Sequence, residues 1–158
     1  MNTAQVDSSR DCTVDRESNT IRFERRLDAA PAQVFEAWTR PEQLACWWDP
    51  AGEPLAACEI DLRVGGSFRF VSRGAAEMPF SGVYREIAAP KRLVFEAMGA
   101  TGRVTLQDAA GGTHMTVEIL CPSKDHLEQF VKMGVHVGTS QTLDNLVRYA
   151  GEAVSSVD

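Results

Sequence analysis

The chain has 158 residues, 44% of them hydrophobic, with a formal charge of −6 and an isoelectric point near 5.1. That length and apolar content suit one globular domain with a sizeable core, and dispersed Lys and Arg under a net negative charge argue against a nucleic-acid partner, which needs a clustered basic face. No run approaches the roughly 18 apolar residues of a membrane span, and the start MNTAQVDSSRDCTVDRESNT lacks the apolar centre of a signal peptide, so a cytoplasmic protein is expected.

Residues 1–19 are rich in Ser, Thr, Asp, Asn and Arg without an apolar period, which predicts a mobile polar tail. The domain is expected over 20–152, followed by a second tail over 153–158. From Thr20, Ile21, Phe23, Arg25 and Leu27 alternate with Arg22, Glu24 and Arg26, the pattern of a strand with one buried and one charged face. Arg25 falls on the apolar phase and reads as a strand-end arginine that snorkels its head to water.

The block PAQVFEAWTRPEQLACWW over 31–48 holds all three tryptophans. Pro31 and Pro41 each suit the first position of a helix, where the missing N–H costs nothing. Two short helices are predicted, with Val34, Phe35 and Trp38 on one face of the first and Leu44, Trp47 and Trp48 on one face of the second. Such a hairpin cannot cover its own aromatic surface, so the rest of the chain must supply a concave apolar partner.

After a loop over 49–54 come six predicted strands, near 55–62, 67–72, 80–87, 92–98, 103–107 and 113–120. The turns between them, near 64–66, 73–76, 88–91, 99–102 and 108–112, are too short for parallel crossovers, so the sheet is an antiparallel meander. Alternation selects Phe68 with Phe70, Gly82 with Tyr84, Leu93 with Phe95, Val104 with Leu106, and Met115 with Val117 and Ile119 as the inward set. Arg69, Arg85, Gln107, His114 and Glu118 then face out. Gly65-Gly66 reads as a tight turn with positive φ.

From Pro122 the period becomes helical to about Ala150, with Ser123 as N-cap. At 100° per residue, Leu127, Phe130, Val131 and Gly134 point well over 100° away from Leu143, Leu146, Val147 and Ala150. One straight helix cannot turn both sets to one sheet, so a break is predicted near Gly134 and Gly138, with a pocket wall formed there.

Cys12, Cys46, Cys58 and Cys121 show no CxxC or Cys/His spacing and are expected as unpaired thiols, Cys12 accessible and the others packed. His114 and His126 read as solvated, whereas His136, flanked by glycines, is a candidate for the cavity wall. Asp49, Glu53 and Asp61 read as turn and strand-end residues. With no nucleotide loop and no metal motif, neither cofactor nor metal is expected. The fold class is α+β, a curved antiparallel sheet of about seven strands around a long C-terminal helix, closed at one end by the tryptophan hairpin.

The segments DAAPAQVFEAWTRPEQLACWW, IDLRVGGSFRF, SGVYREIAAPKRLVFE and GTSQTLDNLVRYA resemble the Activator of Hsp90 ATPase homologue 1-like (AHSA1-like) family of the START/Bet v 1-like, or SRPBCC, superfamily, over about 20–151. The resemblance implies a helix-grip fold with a deep cavity between the curved sheet and the last helix. Relatives include lipid carriers, ligand sensors, cyclases and chaperone regulators, so fold alone does not select an activity. The family commonly has Gly-Trp where this chain has Gly138-Thr139. An indole replaced by threonine leaves space and a hydroxyl, which favours a small ligand or several waters over a sealed core.

The first expectation is therefore a carrier or sensor of a small hydrophobic or amphipathic molecule. Trp47, Trp48, Phe68, Phe70, Phe80, Tyr84, Phe95 and Phe130 are the candidate aromatic wall, with Tyr84, Thr139 and His136 to orient the ligand. No catalytic residue is assigned. Two alternatives stand beside it: a chaperone (Hsp90) regulator or stress-response interaction module, and a cavity enzyme such as a cyclase or hydrolase. The eukaryotic chaperone activator has a further N-terminal domain where this chain has its polar start. A homodimer is compatible with the sequence.

Overall fold

Period-2 alternation holds Ile21, Phe23 and Leu27 on the dry face of a strand, Thr20–Leu27, and the same rule repeats across one large sheet. The structure, a computed structural model, describes residues 6–8 and 12–155. In chain order the strands are β1 (Val6–Ser8), β2 (Thr13–Asp15), β3 (Thr20–Leu27), β4 (Ala57–Ile60), β5 (Ser67–Val71), β6 (Phe80–Ala88), β7 (Arg92–Ala97), β8 (Ala100–Ala109) and β9 (Gly112–Leu120). The helices are α1 (Pro31–Thr39) and α2 (Pro41–Leu44) between β3 and β4, then α3 (Lys124–Lys132) and α4 (Val135–Ser155).

The sheet order is β1-β2-β3-β9-β8-β7-β6-β5-β4, with every neighbouring pair antiparallel. After β3 the chain crosses to the far edge through α1 and α2, then meanders back until β9 closes against β3. α1, α2 and α4 pack into one core with the inward face of the sheet, the α+β helix-grip arrangement. Of the inward set expected from alternation, Phe68, Phe70, Tyr84, Leu93, Val104, Leu106, Met115 and Val117 are buried, and Gly82, Phe95 and Ile119 are half-buried. On the outer face, Arg103 pairs with Glu118 at 2.8 Å and His114 Nε2 lies 3.1 Å from Glu24 Oε1.

Several expectations need correction. The polar tail expected over 1–19 is structured from Thr13: β2 pairs with β3 through Val14↔Ile21, and Val14 is 2% exposed. One buried valine and an ion pair from Arg16 Nε to Glu128 Oε2 at 2.7 Å anchor this segment, too little apolar signal to show as a period. With β1 it brings the strands among the described residues to nine rather than about seven. Residues 1–5 and 9–11 lie outside the described residues. At the other end α4 continues through Ser155, past the expected boundary at 152, and 156–158 lie outside the described residues.

Two turns are shorter than expected. β7 and β8 join through Met98-Gly99 at φ 55° and 79°, and β8 and β9 through Ala110-Gly111 at 46° and 86°. Two consecutive positive φ values are what a two-residue hairpin turn needs to follow the sheet's twist. Because Met98 and Ala110 are not the usual Asn or Asp, the signal is weak, and β8 runs over 100–109 instead of 103–107.

The helical expectations fare better. Ser123 Oγ accepts from His126 N at 3.1 Å as the N-cap of α3. The break falls at Gly134, whose φ of +78° no continuing helix can contain. It turns Leu127 and Phe130 of α3 and Leu143, Leu146 and Ala150 of α4 into one core. α2 is a single turn, yet Leu44 and Trp47 are buried as expected. Cys46 is exposed rather than packed, since it lies between those two inward positions, and Cys12 is half-buried. His126 is half-buried, with its ring 4.6 Å from that of Phe130. No helix among the described residues is long and apolar enough to cross a membrane.

Arg25 does not snorkel. Its Nε meets Asp144 Oδ1 at 3.0 Å, and another guanidinium N–H donates to Ser140 Oγ at 2.7 Å, with the side chain only 10% exposed. Ser140 and Asp144 are one turn apart on α4, so a single arginine fixes that helix across the sheet.

Candidate functional site

Cross-strand register creates a hollow on the inner face of the sheet. Ala97 of β7 stands opposite Ala100 of β8, and Gly102 stands opposite Phe95 on one side and Ile119 on the other. Three small residues side by side leave space that Leu93, Val104, Leu106 and Met115 fill further along the same strands. Gly102 has a packing role here: a Cβ at that position would lie 2.5 Å from the Phe95 ring, so only glycine lets the ring lie across β8.

α4 supplies the opposite wall. Starting afresh after Gly134, it presents Val135, Gly138, Thr139 and Thr142 at i, i+3, i+4 and i+7, one stripe facing the small-residue patch. Trp38 of α1, Trp48, Pro50, Phe80 and Phe130 close the ends. The cavity measures about 270 Å³ and is partly open to solvent.

Two hydrogen bonds hold these walls together. Thr142 Oγ1 donates to the Trp48 carbonyl at 2.8 Å, and Asn145 Nδ2 donates to the Asp49 carbonyl at 2.9 Å. The loop that carries Trp48 and Pro50 is thereby fastened to α4.

Of the residues expected at the site, Trp48, Phe80, Phe95, Phe130 and Thr139 line the cavity. Trp47, Phe68, Phe70, Tyr84 and His136 do not. Trp47 is fully buried, with its Nε1 donating to the Ala37 carbonyl at 3.1 Å. Phe68, Phe70 and Tyr84 form a packed block behind Trp48, with ring centroids 5.0 Å apart for Phe68 and Phe70 and 5.1 Å for Phe68 and Tyr84. The space left inside that block is only about 10 Å³. Large aromatics on β5 and β6 thus fill their end of the concavity. Burial pushes the Tyr84 hydroxyl above its ordinary range, so it stays protonated at neutral pH. His136 follows Val135 by 100° and falls off the cavity stripe.

Trp38, Pro50, Ala97, Ala100, Gly102, Val135 and Thr142 line the cavity without having been expected there. Val135 and Thr142 were accessible from the sequence, since they lie four residues before and three after Thr139.

The lining contains no carboxylate, guanidinium, ammonium, imidazole or thiol. Its polar groups are the hydroxyls of Thr101, Thr139 and Thr142 and the tryptophan indoles. Such a wall suits an uncharged molecule over a charged one, because a charge would lose its hydration with no partner to replace it. Asp49 Oδ2 accepts from Ala51 N at 3.1 Å and Asp61 pairs with Arg63 at 2.9 Å, so both act as the turn residues expected. Among the described residues, no group of three or more His, Cys, Asp and Glu side chains is placed to hold a metal ion.

Comparison with known structures supports the architecture. A protein from Nitrosomonas europaea is similar at 25% identity and TM-score 0.75, covering 82% of this chain and 92% of that one. The AHSA1-like protein from Aeromonas hydrophila is similar at 25% identity and TM-score 0.71, covering 86% and 94%. A Mycobacterium smegmatis protein at 19% identity shares the fold at TM-score 0.75, covering 97% and 99%. No curated protein matches this chain. The family model described as Activator of Hsp90 ATPase homolog 1-like protein matches residues 28–151. That span begins just after β3, ends within α4 and includes every wall of the cavity, and the chain belongs to this family.

Proposed function

We propose that this protein binds a small hydrophobic or amphipathic molecule in the cavity between the sheet and α4, as a carrier or a sensor. The supporting observation is the cavity itself: about 270 Å³ lined by aliphatic and aromatic side chains with a few hydroxyls. That volume of about 270 Å³ lies just below the range of roughly 300–1,000 Å³ typical of small-molecule sites, so the ligand is compact. Thr139 contributes the space that an indole would otherwise take.

Titration with 1-aminoanthracene, an uncharged fluorescent hydrophobe, tests this reading. Saturable enhancement at one site per chain, competed by unlabelled small hydrophobes, is the expected result. Absence of binding by any such probe would reject it. The family description also supports a second reading, stimulation of an Hsp90-type ATPase through the outer surface. An ATPase assay with Hsp90 and this protein checks it separately, and an unchanged rate would remove it.

A further inference from the structure

Of the residues that line the cavity, Met98, at 51%, and Pro50 are exposed, while the others are buried or half-buried. Both stand at the corner where α3 gives way to α4. The Met98-Gly99 turn rests on α3, since a Cβ at Gly99 would lie 2.8 Å from Cε1 of His126. Pro50 rests on the start of α4, where a Cβ at Gly138 would stand 3.9 Å from Pro50 Cγ. The open side of the cavity therefore lies between these two residues.

From this mouth the hollow follows the strands inward. Cross-strand register sets the order: the turn at Met98, then Ala97 opposite Ala100, then Gly102, then Val104 between Leu93 and Val117, where side chains fill the space. The inner end is walled by Trp38, Val117 and Leu143, all buried. Its polar groups are already spoken for or covered: the Thr142 hydroxyl donates to the Trp48 carbonyl at 2.8 Å, and Trp38 Nε1 is itself buried. A polar group carried to this end would lose its hydration without replacement, whereas one left at the mouth keeps it.

We propose that the ligand is a single-tailed amphiphile that enters tail first between Pro50 and Met98 and leaves its one polar end at that mouth. This rests on the reading of the cavity as a binding site and adds the class and direction of what it takes. The penalty against charge belongs to the interior, so a carboxylate at the mouth is accepted as readily as a hydroxyl. At roughly 30 Å³ for each water-sized group, the volume of about 270 Å³ holds about nine of them, which suits an eight-carbon chain.

Displacement of 1-aminoanthracene from the full chain by 1-octanol, octanoate and 1,8-octanediol tests the direction. Octanol and octanoate should bind within about threefold of each other, and the diol, which must carry a hydroxyl to the inner end, at least about tenfold more weakly. Met98→Lys should tighten octanoate about threefold at low salt and leave octanol unchanged, and Met98→Glu should do the reverse. With methyl-¹³C methionine in the unaltered chain, the Met98 resonance should differ between the octanol and octanoate complexes, while that of Met115, fully buried and outside the lining, should not. This comparison decides the matter should the variants not fold. Octanoate much weaker than octanol, a diol as tight as octanol, a Met98 resonance blind to the head group, or no displacement by any of the three would overturn the tail-first amphiphile and leave the cavity reading standing. Failure of 1-aminoanthracene itself to bind would overturn both.

Discussion

Arg25 of β3 and Asp144 of α4 meet at 3.0 Å, and the same guanidinium reaches Ser140 one turn earlier. β3 and α4 lie far apart in sequence, and Ser140 follows directly on Thr139, which lines the cavity. Stability of the fold and position of the cavity wall therefore share one side chain. Arg25→Met keeps much of the apolar stem and removes the donors. It should lower stability by about 1–2 kcal/mol, a range discounted for the exposure of Asp144. Urea unfolding measures that loss, and probe dissociation should quicken as α4 loosens. An unchanged midpoint would show that the contact contributes nothing.

Thr139→Trp should fill the hollow. The indole would enter from the α4 stripe toward Ala97, Ala100 and Gly102, the small residues that create the space. Hydrophobic-probe affinity should fall by at least about tenfold, while stability changes by no more than about 1–3 kcal/mol in either direction, since filling offsets crowding. Probe titration and urea unfolding on the same variant separate the two effects. Full retention of binding would place the probe elsewhere.

Gly102→Ala tests the register argument from the sheet side. The added Cβ would sit 2.5 Å from the Phe95 ring, which must then swing toward the cavity. A destabilisation of about 1–3 kcal/mol is expected from the overpacking, with weaker probe binding because the displaced ring occupies the site. If binding is unaffected, Phe95 has another way to yield.

The Cys58 thiol gives a pH signature. Burial first, then the nearby carboxylates of Glu42 and Glu59, push it from the ordinary 9.0 up to about 11. The folded state thus holds its proton where the unfolded chain releases it. Stability from this group is complete below pH 9 and falls as pH rises from 9 to 11. Cys58→Ala should flatten that part of the stability curve. Iodoacetamide should modify Cys58 far more slowly than the exposed Cys46 at pH 8.5, read by peptide mass spectrometry. Equal rates would contradict the shift.

The sheet was readable because it has one dry face: alternation at Phe68 and Phe70, Val104 and Leu106, and Met115 and Val117 follows directly from it. The divergence between the Leu127 and Leu143 faces likewise required a break, and of the two glycines between them Gly134 takes the positive φ that makes it. Which inward residues would border empty space was not readable, because a void depends on neighbours across strands. Ala97 opposite Ala100 and Phe95 opposite Gly102 are facts of register. Short hairpin turns set that register, and Met98 and Ala110 disguised them. Phe68, Phe70 and Tyr84 met the pattern of a ligand wall and instead filled each other's space. His136 was one helical position from the stripe, an error that the start of α4 alone could resolve.

Because Trp38, Trp47 and Trp48 are the only tryptophans and their rings touch, the chain's intrinsic emission arises from a single locality beside the cavity. Fluorescence will register occupancy or loosening there and remain blind to fraying of the N-terminal strands. An unfolding curve traced by emission that precedes one traced by circular dichroism would accordingly mark the cavity end as the first part of the molecule to open.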